Sequence, residues 1–119
     1  MPRRRWDSDG QQETHDAFKA LYDSFTDAYW AASTMQDKDY IRGLSDFISG
    51  ILTQLNKQAI ESRTKEFEDL TDSVKTISPR LEKAKEKIDQ IIQDVQTATA
   101  VAKGIDTVLA ICIKYFGKM

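Results

Sequence analysis

A single cysteine and a single histidine leave this chain short of the side chains that most often build metal and nucleophilic centres. Cys112 has no second cysteine to pair with, so an internal disulfide is excluded, and with it a secreted fold stapled by disulfides. His15 is expected near the opposite end of the bundle from Cys112, about 20 Å away by helical rise, too far for a nucleophile and its base. Glycine-rich phosphate loops and zinc-spaced cysteine or histidine sets are missing as well. The chain therefore reads as non-enzymatic, with no catalytic residue, no metal ligand and no cofactor expected. Two prolines and five glycines supply few breaks, which favours long helices over many short strands. A net charge of −2 gives no general attraction for nucleic acid. The opening "MPRRRWDSDGQQ" carries three arginines with no apolar stretch behind them, so no cleavable secretion signal is expected. With the disulfide argument, this points to a cytoplasmic location.

What the chain does have is helical periodicity. Residues 1–12 read as a flexible basic tail, and 13–119 as one helical domain. A first helix is predicted over 14–33, where Phe18, Leu21, Tyr22, Phe25, Ala28, Tyr29 and Ala32 recur at three- and four-residue steps. A second is predicted over 37–77, opened by Thr34 or Asp37 as cap and carrying Ile41, Leu44, Ile48, Ile51 and Leu55, then Phe67, Leu70, Val74 and Ile77. Ser78-Pro79 reads as a reversal, because proline fits the first position of a helix behind a serine cap. A third helix over 79–116 keeps a seam from Leu81 through Ile91, Val95 and Ala102 to Phe116, about five heptads long. The expected architecture is all-α: a three-helix bundle in which two long antiparallel helices form a coiled-coil hairpin, its outer part a two-helix stalk of roughly 27 Å. Gly43, Gly50 and Gly104 are expected at close helix approaches.

The closing segment, Ile105–Phe116, is interrupted only by Asp106, Thr107 and Lys114. A second apolar row there (Val101, Val108, Ile111, Tyr115) calls for two helix neighbours, so the segment is expected in the core. The run, roughly 12 residues long, falls short of the ~20 apolar residues that span hydrocarbon, so membrane contact is allowed but not favoured.

Two surfaces stand out as partner contacts. Glu13, Asp16, Asp23 and Asp27 line the first helix opposite its apolar face, with Trp30 on the same side. From Asp7 to Asp39 the acids outnumber Lys19 and Lys38 heavily, which suits a basic protein partner anchored by a tryptophan. Arg80, Lys83, Lys85 and Lys87 are expected to make the stalk tip basic, with Arg80, Lys83 and Lys87 as the candidate contacts. The leading expectation is a protein-interaction module of adaptor, chaperone-like, inhibitor or immunity type. The alternatives are a membrane-active module of pore-forming or cell-death type and a structural coiled coil that forms homo-oligomers.

Overall fold

The structure is a computed structural model and describes residues 6–56 and 59–117. The described chain is all-α, with four helices: α1 (Ser8–Ala31), α2 (Met35–Leu55), α3 (Lys65–Ile91) and α4 (Val95–Phe116). Each begins on a side chain that accepts a free amide of the first turn. Asp7 takes Gly10 N–H, Thr34 takes Asp37 N–H, Thr64 takes Phe67 N–H and Asp94 takes Thr97 N–H. Successive helices run antiparallel, and α4 returns to pack on α1. Each helix approaches two neighbours closely, while the backbones of the diagonal pairs α1–α3 and α2–α4 stay more than 8 Å apart. The result is an up-down-up-down four-helix bundle.

The apolar rows point inward as the periodicity demands. Phe18, Leu21 and Phe25 of α1 meet Leu44 and Ile48 of α2, Leu70, Val74, Ile77 and Leu81 of α3, and Val101, Ile105, Val108 and Cys112 of α4 in one core, all fully buried. The closing segment is thus core, as its doubled apolar row requires. Close approach accounts for two glycines. A Cβ on Gly104 would stand 3.0 Å from Leu21 Cδ1, and one on Gly10 would stand 2.8 Å from the Tyr115 ring.

The bundle is closed at both poles. At one, Trp6 is only 6% exposed and sits among Phe67, Tyr115 and Phe116, with ring centroids 5.4, 5.6 and 5.4 Å away. Its indole N–H donates to the Ile60 carbonyl at 2.7 Å. Gln11, also buried, donates through Nε2 to the Leu55 carbonyl at 3.0 Å and accepts the Ile60 amide at 2.8 Å. At the other pole, the two short turns pair through an isolated antiparallel bridge between Ala32 and Ile92.

Several expectations need correcting. The three-helix bundle with a long hairpin becomes four helices because the chain beyond the α1–α2 turn reverses twice, between α2 and α3 and again at 92–94, and not once at Ser78-Pro79. Trp6 and Gln11, read as tail, capture both backbone groups of Ile60 and so fix the connection between α2 and α3. Of the expected flexible tail, residues from Trp6 onward are folded, and Arg3, Arg4 and Arg5 lie outside the described residues. Pro79 lies inside α3 on its solvent face, and Lys75, whose carbonyl would otherwise accept the amide at position 79, is likewise an exposed residue. Ser78, expected to cap, is buried and donates its hydroxyl to the Val74 carbonyl at 2.8 Å. The seam from Ile91 to Val95 keeps its four-residue step across a real turn, so Asp94 caps a new helix and Val95 faces solvent. Since all four helices lie side by side, the two-helix stalk does not exist. Gly43 and Gly50 face outward: a Cβ at Gly50 would meet nothing within 4 Å, and one at Gly43 only Arg80 Nη2 at 3.8 Å. No packing account of these two glycines follows.

Candidate interaction site

Helical spacing places Asp16, Asp23, Asp27 and Trp30 on one outer face of α1, and all four are exposed. The carboxylates differ in how far they are engaged. Asp16 accepts from Gln12 Nε2 at 2.8 Å and lies 3.3 Å from His15 Nδ1, and Asp23 pairs with Lys19 Nζ at 2.7 Å. The Asp27 carboxylate, one turn before Trp30, has no partner among the described residues. Glu13, which the spacing put in the same row, turns instead toward α4. It accepts from Lys114 Nζ at 3.0 Å and from the Tyr115 hydroxyl at 2.5 Å.

Trp30 is 76% exposed. Its ring stands edge-on to Tyr29 with centroids 5.2 Å apart, and Lys38 Nζ lies 5.1 Å from the Tyr29 centroid and 5.8 Å from that of Trp30. Lys38 is held there by donating to the Tyr29 carbonyl at 2.7 Å. Beside this corner a groove of about 380 Å³ runs between α1 and α2, walled by Tyr22, Tyr29 and Trp30 on one side and by Arg42 and Asp46 on the other. Aromatic rings with carboxylates within a turn suit a segment that carries both cations and apolar side chains.

The sequence reading missed two neighbours of this corner. Met35, 68% exposed, opens α2, and Val95, 76% exposed, opens α4 at the same pole. Met35 lies in the expected connection, and Val95 was absorbed into the seam; only the turn at 92–94 reveals that both point outward.

Arg80, Lys83 and Lys87 share the edge of α3 that faces α2, with no stalk tip to carry them. The Arg80 guanidinium carbon lies 5.6 Å from the Phe47 centroid, and Lys87 Nζ 5.7 Å from that of Tyr40. Burial raises the Tyr40 hydroxyl above its ordinary value, and the nearby Arg80 charge opposes that shift. Arg80 and Lys87 thus lie over aromatic rings along the α2–α3 seam. They belong to the side of the bundle diagonal to α1, so the structure does not bring them together with Trp30.

For chemistry the molecule offers little. No group of three or more potential metal ligands forms among the described residues. Helix register, with Gly10 against Tyr115 and Leu21 against Gly104, sets His15 level with the turn of Cys112 and not at the opposite end. Even so, His15 lies beside a cleft on the α1–α2 side, whereas Cys112 is fully buried. Burial pushes the Cys112 thiol up to about 12, a rise that the Ser78 hydroxyl beside it offsets only in part. The unfolded chain releases this proton near pH 9 and the folded chain holds it, so stability falls as pH rises from about 9 to 12. The slope contributed is at most about 1.4 kcal/mol per pH unit. Denaturant midpoints measured across that range should decline more steeply for the native chain than for Cys112→Ala.

No protein-family model matches the chain, and no curated protein or solved structure matches it either.

Proposed function

We propose that the chain is a non-enzymatic protein-interaction module whose α1 corner seats a basic, partly apolar segment of a partner. The observation that carries this reading is Trp30: in a bundle that buries Trp6 and nearly every large apolar side chain, it stands 76% exposed beside an aromatic groove and Asp27, which is unpaired among the described residues. Tryptophan is among the residues most enriched at binding hot spots, and carboxylates around it speed and orient the approach of a cationic partner. Trp30→Ala should abolish capture of the partner, a loss of about 2 kcal/mol or more in binding, with helicity and melting temperature unchanged. Asp27→Asn should chiefly weaken the salt dependence of the association. Retention of the same captured proteins by Trp30→Ala would remove the site.

A membrane-active role is the second reading, favoured by the dimensions of α4. At 22 residues it is about 33 Å long, and it is long and apolar enough to cross a membrane. Core helices of bundles share that property, and α4 carries Lys103, Asp106 and Lys114, two of them tied by ion pairs to α3 and α1. Dye release from liposomes by the folded chain separates the two readings.

A further inference from the structure

We propose that the outer face of α4 is a self-association surface whose occupant is α4 of a second copy, lying antiparallel to it. Six residues define that face: Val95, Thr99, Lys103, Asp106, Ala110 and Ile113. They follow one another at steps of three and four, and all are exposed, Val95 at 76% and Ile113 at 55%. The order along the helix is apolar, small, cation, anion, small, apolar. Reversed end for end it reads the same, with the two charges exchanged.

That symmetry is what a two-fold contact requires, because each residue must meet its counterpart's complement rather than itself. An axis crossing α4 between Gly104 and Ile105 sets Val95 of one copy near Ile113 of the other. It sets Thr99 against Ala110 of the second copy, where short side chains let the backbones approach. At the centre Lys103 meets Asp106 of the second copy, twice over. Lys103 has no carboxylate partner among the described residues. Asp106 is engaged by Lys85 Nζ at 2.5 Å, but both side chains of that pair are about half exposed and Asp106 can accept a second cation. The two apolar ends lie about 27 Å apart, long enough for five turns of helix pairing. Charge complementarity favours the second copy over a lipid surface, which would have to take in Lys103 and Asp106 unpaired. Trp30 is not part of this face, so the contact stands or falls separately from the α1 reading.

Sedimentation equilibrium of the full chain from micromolar to millimolar concentration tests it. The mass should rise toward that of a dimer at the upper end. K103E turns the centre wholly acidic and D106K wholly basic, so each alone should weaken association by about tenfold or more. An equimolar mixture of K103E and D106K should pair as a heterodimer, which shows that both variants are folded. Lys85→Ala, which removes the internal ion pair and leaves the face intact, should associate like the unaltered chain. A monomer mass at all concentrations, association indifferent to K103E, or a variant mixture that stays monomeric would each overturn the proposal. So would binding of the chain to phosphatidylcholine vesicles through α4 with no self-association.

Discussion

Replacing Trp6 with alanine should cost the fold about 3–5 kcal/mol, the range for deleting a large buried aromatic. Its indole fills the pole where α1, α3 and α4 meet, in contact with Phe67, Tyr115 and Phe116, the last two rings of which close α4. Aromatic edge and face contacts add to the burial itself. The substitution also leaves the Ile60 carbonyl without its indole donor. For a single small domain this approaches the whole stability, so Trp6→Ala should be largely unfolded or greatly lowered in denaturant midpoint by circular dichroism. Trp6→Phe separates the contributions: it restores most of the ring packing and none of the hydrogen bond, and should lose about 1–2 kcal/mol. A midpoint for Trp6→Ala equal to that of the unaltered chain would mean that the pole is held by something else.

Gln11→Leu is the second large effect, and the more diagnostic. Leucine nearly preserves the volume but removes the side chain's donor to Leu55 and acceptor from Ile60. A buried amide N–H and a buried carbonyl are then left facing an aliphatic group, at about 1–3 kcal/mol each. The expected loss is therefore about 2–5 kcal/mol, although hydrophobicity rises. Gln11→Glu should fail in a different manner, because a carboxylate can accept the Ile60 amide but cannot donate to Leu55. Hydrogen exchange should show the damage first at Leu55–Ile60 and the start of α3, ahead of the centre of the core. A merely space-filling glutamine predicts no such local pattern.

These two side chains also explain what the sequence could and could not reveal. The apolar rows of α1, α3 and α4 are written in spacing, and the rows meet in the core as that spacing requires. Caps at Thr34 and Asp94 are local signals, the first of which was legible. The second was hidden because a three-residue turn preserves the four-residue step from Ile91 to Val95. The reversal at 56–64 had no local marker of comparable strength: it depends on Trp6 and Gln11, about 45 to 55 positions away in sequence, capturing Ile60. Proline misled in the opposite sense. At an exposed position its missing amide costs a helix one solvent-side hydrogen bond, which the burial of Val74, Ile77 and Leu81 around it outweighs. At the candidate site, Trp30 and the carboxylates follow from helical phase alone, whereas Met35 and Val95 emerge only when both turns are placed at one pole. The basic edge of Arg80, Lys83 and Lys87 was legible as a charge cluster, but its place along the α2–α3 seam was not.

Because α4 closes against α1, the first and last helices complete each other's burial. A chain emerging from the ribosome would present Leu21, Phe25 and the ring of Trp6 to water until α4 had been made. Native structure around α1 must therefore wait on α4, and loss of the last turn of α4, bearing Tyr115 and Phe116, would be felt first near Gly10. Bringing those two ends together carries a loop-closure cost that grows only logarithmically with the intervening length. Co-translational folding of this bundle is consequently complete only after α4 has emerged, and until then its apolar faces are open to aggregation.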